Sequence, residues 1–200
     1  MGDGLRDAVP ANAVHLCVDM QRLFVDDTPW RMPWAERVIP RIARLCAARA
    51  DRTCFTRFIP PAAPEAAGGE WRGDWTHWVE LTGERLDPAL LELTPVLQGF
   101  VPPARVYDKT VYSPWTTGVL QQALDAGGVD TLVVTGGETD ICVLATVLGA
   151  VDLGFRVIMV TDALCSSADS VHDAALKLYR DRFSLQVETV ELDLLLEGWR

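Results

Sequence analysis

The chain has 200 residues, 49% hydrophobic and 23% charged, a balance that supports one globular domain over 1–200 with a substantial buried core. Its formal net charge of −10 and pI near 4.7, with Lys and Arg scattered, exclude the electrostatic footprint expected for nucleic acid or an anionic membrane and favour a small-molecule partner. No apolar run reaches the roughly 18 residues of a membrane span, the opening Met1-Gly-Asp-Gly-Leu-Arg-Asp has no leader pattern, and the cysteines form no C-x-x-C pair, so a cytoplasmic chain with reduced thiols is expected.

In chain order, 13–20 reads as a first strand and 34–50 as an amphipathic helix, followed by a strand over 52–58. Residues 59–74, with Pro60, Pro61, Pro64, Gly68 and Gly69, carry no periodic pattern and read as a long loop able to act as a lid. Short helical pieces follow at 75–81 and 88–93. The rest alternates regularly: strands at 105–109, 131–136, 156–162 and 184–188, with helices at 115–126, 140–153 and 170–182. Runs such as Leu132-Val-Val-Thr and Val157-Ile-Met-Val are apolar with little alternation, as in strands covered on both faces. The prediction is a three-layer α/β/α architecture around a mostly parallel six-stranded sheet.

Open parallel sheets bind ligands beyond the carboxyl ends of their strands, near the point where strand order reverses. Three ionisable residues fall there: Asp19 near the end of the first strand, Lys109 at the end of the third, and Cys142 after the fourth, through Gly136-Gly137 and into a helix. Backbone N–H groups at a helix start lower a thiol's pKa from about 8.5 and can also hold an oxyanion. A carboxylate can take the thiol proton and return it to a leaving amine, while an ammonium stabilises both anions. Taken singly, each has a plain alternative: a packed core cysteine, a polar strand terminus and a solvated surface lysine.

The segments Cys17-Val-Asp-Met-Gln, Asp108-Lys-Thr-Val-Tyr-Ser-Pro-Trp and Thr135-Gly-Gly-Glu-Thr-Asp-Ile-Cys-Val-Leu-Ala-Thr resemble the signature blocks of the isochorismatase-like cysteine hydrolases. The likeness runs over about 13–188 in the family's block order and implies the family's Rossmann-like hydrolase fold. It also matches Asp19, Lys109 and Cys142 to a catalytic triad. The resemblance implies a cis peptide between Gly137 and Glu138, and an oxyanion hole made by the backbone N–H groups of Glu138 and Cys142. It further implies a homodimer or homotetramer, to which the apolar tail Leu192-Asp-Leu-Leu-Leu offers an interface.

Phe24, Trp71, Trp75, Trp78, Tyr112 and Trp115 stand in loops or short helices beyond strand ends and are candidate pocket walls; Arg57 is a candidate partner for a substrate carboxylate. Ordinary packing, or for Arg57 a salt bridge to Glu70 or Asp74, accounts for them equally well. Metal-dependent nicotinamidases in the family carry an Asp-x-His motif where this chain reads Thr56-Arg57-Phe58, and the only histidines are His15, His77 and His172. His15 reads as a core residue, His172 as a helical surface or interface residue, and a lone His77 is poor evidence for zinc. No metal and no cofactor are predicted. Asp162 and Ser166-Ser167, in Thr161-Asp-Ala-Leu-Cys-Ser-Ser-Ala-Asp, follow the fifth strand and resemble another family block; a helix N-cap explains the serines or Asp169 equally well, and Cys165 reads as packed.

The resulting expectation is a metal-independent cysteine amidohydrolase that cleaves a small amide or carbamoyl C–N bond through a thioester. Isochorismatase-type vinyl-ether hydrolysis, in which Asp19 supplies a proton and Cys142 is dispensable, is the enzymatic alternative; a non-catalytic small-molecule-binding protein is the other.

Overall fold

The computed structural model describes residues 4–199, so residues 1–3 and 200 of the expected domain lie outside the description. Strands β1 (Val14–Val18), β2 (Thr53–Phe58), β3 (Arg105–Lys109), β4 (Thr131–Gly137), β5 (Arg156–Cys165) and β6 (Val187–Val190) form one sheet in the order β3-β2-β1-β4-β5-β6, every pair parallel. The helices are α1 (Ala35–Arg49), α2 (Trp71–His77), α3 (Pro95–Gln98), α4 (Val119–Ala126), α5 (Cys142–Asp152), α6 (Asp169–Arg182) and α7 (Leu192–Gly198).

Parallel strands need crossover connections, and the helices that supply them bury both faces of the sheet. One apolar layer gathers α1, α3 and α7 with the 71–101 region; the other gathers α4, α5 and α6. In α1 the fully or nearly buried residues are Ala35, Val38, Ile42, Leu45 and Cys46, a spacing of three and four that turns one stripe to the sheet. Every residue of β1 and β4 is buried, which is why neither strand shows alternation in the sequence. The connections leave β1 in one direction toward β2 and in the other toward β4, so the crevice between their carboxyl ends is the switch point of the sheet. Val18 pairs with Gly136, and Asp19 and Gly137 therefore emerge side by side.

Tertiary contacts moved several boundaries. Strand β6 lies later than 184–188 because Gln186 and Val187 donate back to the Phe183 carbonyl at 2.8 and 2.7 Å, closing a turn after α6. Strand β5 runs past Asp162 to Cys165, pairing Leu164 and Cys165 with Gly136 and Gly137 across an irregularity in register. Helix α4 starts at Val119, after Gly118 in the left-handed region at φ 72°, and leaves Trp115 in the preceding turn. The loop read over 59–74 is shorter than expected, since α2 already begins at Trp71. The apolar tail forms α7, whose Leu192 and Leu195 are fully buried in the core, so most of what looked like an interface stripe packs internally; Leu194 stays exposed. Among the described residues no helix is long and apolar enough to cross a membrane.

His15 is a core residue, as expected. Its ring nitrogens sit 3.1 Å from Thr53 Oγ1 and 2.8 Å from Thr135 Oγ1, and complete burial lowers its pKa from 6.5 to about 3. Because the folded value lies below the unfolded one, the unfolded chain binds this proton first. Stability is unaffected above about pH 6.5, falls as pH drops from there toward about 3, and loses on the order of 5 kcal/mol across that window from this group. Urea unfolding of the wild type and of His15→Gln at intervals from pH 7 to 4 checks this: the two stability profiles should converge as pH falls, whereas parallel profiles would refute the assignment.

Candidate active site

Three strand ends deliver three side chains to one point. Asp19 follows β1 with a left-handed backbone at φ 51°, a conformation uncommon for residues other than glycine and one that clusters at functional sites. Lys109 ends β3, two strands away, and its ammonium passes 5.1 Å from the ring centre of Phe58. It donates to Cys142 Sγ at 3.4 Å and to the Val111 carbonyl at 3.2 Å, and forms an ion pair with Asp19 Oδ2 at 2.7 Å. Cys142 is the first residue of α5, so its N–H is among those that helix geometry leaves without an intrahelical partner. Asp19, Lys109 and Cys142 are 1%, 3% and 7% exposed, so their charges interact through protein rather than water.

Thr56 on β2 orders the carboxylate: its hydroxyl donates to Asp19 Oδ1 at 2.6 Å and accepts the Asp19 N–H at 3.2 Å. Asp19 Oδ2 meets Lys109 as an ion pair without hydrogen-bond alignment and retains capacity to accept a proton. Behind it, the Gln21 amide accepts from the Phe58 N–H at 2.6 Å and donates to the Phe58 and Leu91 carbonyls at 3.1 and 2.9 Å, tying the ends of β1 and β2 together.

Close backbone approach requires glycine at 136, and the Met32 side chain packs where a Cβ at 137 would stand. A side chain at Gly136, where φ is 102°, would place Cβ 2.1 Å from the Val18 carbonyl oxygen, and one at Gly137 would fall 2.2 Å from Met32 Sδ. The Gly137–Glu138 peptide is cis. Beyond it the Glu138 carbonyl accepts from the Ile141 and Val143 N–H groups at 3.1 and 2.9 Å, and Thr139 bonds the Cys165 carbonyl through both its N–H and its hydroxyl at 3.0 and 2.9 Å. His172 lies 2.9 Å from that hydroxyl and 6.4 Å from the Trp34 ring, so the residue expected at the surface is a half-buried brace for this turn.

The thiol is the main correction to the sequence reading. Burial, reinforced by the Asp19 carboxylate, pushes Cys142 well above the ordinary thiol value, and Lys109 offsets this only in part. The helix start was visible in the sequence; the degree of burial was not. Burial by itself would lower the Lys109 pKa, but Asp19 and Cys142 hold it above the ordinary value. Asp19 and Lys109 thus act on the thiol in opposite directions, the carboxylate pushing it up and the ammonium pulling it down.

A cavity of about 330 Å³ opens over Cys142 and Glu138 and is walled by Phe24, Trp71, Trp75, Trp78 and Tyr112 among the expected residues. Trp30 and Phe58 join them, with Trp30 5.6 to 6.1 Å from the rings of Phe24, Phe58, Trp75 and Trp78. Trp30 stands in the loop after β1, where the same reading that selected Phe24 would have found it, whereas Phe58 is the last residue of β2. Pro29, Asp74, Ile141 and Ser167 complete the lining.

Arg57 and Trp115 are not part of the cavity. Thr56 and Phe58 face the site, and strand alternation sends Arg57 to the other side of the sheet, where it grips Asp108 at 2.8 and 3.0 Å and Glu92 at 3.1 Å instead of Glu70 or Asp74. Trp115 stacks on Phe155 at 5.7 Å and donates to the Thr146 carbonyl at 2.9 Å; its ring occupies the space a Cβ at Gly149 would fill. His77 packs edge-on against Trp78, 4.7 Å away. Among the described residues, no group of three or more His, Cys, Asp or Glu side chains is placed to hold a metal ion. Asp162 accepts the Leu192 N–H at 2.9 Å and pairs with Arg41 at 3.0 Å, Ser166 bonds Asp140, and Cys165 is packed with its thiol pushed up to about 12 by burial.

The isochorismatase domain model matches residues 13–191. Nicotinamidase 3 of Arabidopsis thaliana is 29% identical over 195 residues, covering 96% of this chain and 93% of the relative. The ureidoacrylate amidohydrolase RutB of Variovorax paradoxus (strain S110) is 29% identical over 167 residues, covering 74% of this chain and 66% of the relative. A crystal structure of an isochorismatase family protein from Desulfovibrio vulgaris superposes with a TM-score of 0.80 at 24% identity, over 94% of this chain and 98% of that one.

Proposed function

The chain belongs to the isochorismatase family, and we propose that it is a cysteine amidohydrolase that cleaves a small amide or carbamoyl C–N bond through a thioester on Cys142. The observation that carries this reading is the contact of one ammonium, Lys109, with a carboxylate at 2.7 Å and a thiol at 3.4 Å under a small-molecule cavity. The 29% identity to a nicotinamidase and to an amidohydrolase supports the same class of bond.

In this mechanism substrate enters with its carbonyl over Cys142 and its oxygen toward the N–H groups of Glu138 and Cys142. The thiol proton passes to Asp19 Oδ2 as sulfur attacks the carbonyl carbon, so the high resting pKa is overcome only when the bond to carbon forms. The two N–H groups hold the tetrahedral oxyanion, a role in which each donor typically contributes about 2.7 to 4 kcal/mol. Asp19 then protonates the departing nitrogen as the C–N bond breaks, leaving a thioester. Asp19 next takes a proton from water as hydroxide adds to the thioester carbonyl; the C–S bond then breaks to release the acid, and Asp19 returns its proton to sulfur, restoring carboxylate and thiol. Lys109 stays protonated throughout and steadies whichever partner carries the negative charge.

The test is to supply a panel of small amides and carbamoyl compounds, quench in acid during turnover and measure the mass of the Cys142 peptide. An acyl or carbamoyl increment on that peptide is expected with every compound turned over. Turnover without the increment at any quench time, or no release of ammonia or amine from the whole panel, would overturn the reading.

A further inference from the structure

The walls of the cavity carry a charge pattern that the triad does not explain. Asp74 from α2 and Glu138 both line it, together with the aromatic faces of Trp30, Trp71, Trp78 and Tyr112. None of the residues lining it is Lys, Arg or His. The nearby cations are turned elsewhere: Lys109 lies beneath the floor against Asp19, Arg57 is clamped by Asp108 and Glu92, and Arg72 donates to the Ala67 carbonyl at 3.3 Å. Tyr112 lies on the same wall, 4.9 Å from the Trp71 ring, and its phenol is pushed up by burial and, after that, by the Asp74 carboxylate. A carboxylate beside an aromatic enclosure is the chemistry that holds a cationic nitrogen, because ring faces and carboxylates attract the same sign of charge. A substrate with its own carboxylate would meet repulsion here and find no guanidinium to pair with.

Building on the amidohydrolase reading, we propose that the substrate is an amide carrying a cationic nitrogen, a quaternary or protonated ammonium, seated between Asp74 and the rings of Trp30, Trp71, Trp78 and Tyr112 while its carbonyl lies over Cys142. Glu138 is half-buried, and that burial favours its neutral form, so Asp74 at the exposed rim is the charge a cation meets first. The net charge of −10 works in the same direction at long range, drawing cations toward the molecule.

Two amides of one shape isolate the charge: (trimethylammonio)acetamide and 3,3-dimethylbutanamide, which differ only by N⁺ or C at the branch point. Binding to the Cys142→Ala protein, followed by calorimetry, should favour the cation by about tenfold or more, as expected for a desolvated cation among rings and a carboxylate. Asp74→Asn should reduce that preference severalfold, and added salt should reduce it too. Equal or tighter binding of the neutral amide, no binding of either at millimolar concentration, or a preference unchanged in Asp74→Asn would overturn the proposal. The wild-type enzyme separates the two readings. Turnover of both amides with equal kcat/KM removes the cation inference and leaves the hydrolase; a clear cation preference in binding with no amide turned over removes the hydrolase reading alone.

Discussion

Cys142→Ala is expected to lower amide turnover by roughly 10⁴-fold or more while the protein stays folded, since without sulfur no thioester can form and only binding and the oxyanion donors remain. The structural cost is small. Lys109 keeps its contact with Asp19 at 2.7 Å and with the Val111 carbonyl at 3.2 Å, and the removed volume is one sulfur atom, so stability should fall by only about 1 kcal/mol. Steady-state assay beside thermal unfolding separates the two effects. Turnover retained within tenfold in a preparation free of wild type would sink the thioester mechanism and favour chemistry in which Asp19 acts by itself, as in vinyl-ether cleavage.

Asp19→Asn should be equally damaging to catalysis but opposite in its effect on the thiol. The carboxylate accepts or returns the proton in every step proposed above, so its loss should cost on the order of 10⁴-fold in kcat/KM. Yet Asp19 is, after burial, the chief influence holding the Cys142 thiol up, and Lys109 pulls it down. With the negative charge gone and the ammonium still in place, the Cys142 pKa should fall. Alkylation followed at the Cys142 peptide across a pH series should therefore accelerate at neutral pH in a variant that has lost turnover. A thiol that titrates unchanged or higher would show that the carboxylate does not govern it. The variant also leaves Lys109, 3% exposed, without its ion-pair partner, and a destabilisation of about 3 to 5 kcal/mol is expected from that.

Much of this was legible in order along the chain. Apolar strands without alternation, separated by helix-length periodic segments, require a parallel sheet covered on both faces, and six of them fix its strand count. Asp19 follows a strand, Lys109 ends one and Cys142 opens the helix after another, and that placement alone brings them to the carboxyl end of such a sheet. The Arg57 assignment failed although the sequence held its correction: strand period two puts Thr56 and Phe58 on the site side and Arg57 on the other. Trp115 failed for a different reason, because whether an aromatic beyond a strand end faces a cavity or a helix back depends on contacts more than thirty residues away, here Thr146, Gly149 and Phe155.

The sequence by itself determined the element order, the parallel sheet and the strand-end position of the three reactive groups. Those properties depend on local periodicity and on residue type, which the chain carries at each position. Only the tertiary structure decided that Thr56 orders Asp19, that Trp30 and Asp74 join the cavity, and that the thiol rests high rather than low. Burial and charge proximity are sums over groups drawn from β1, β2, β3 and α5, and their sign at Cys142 is set by distances that no single segment contains.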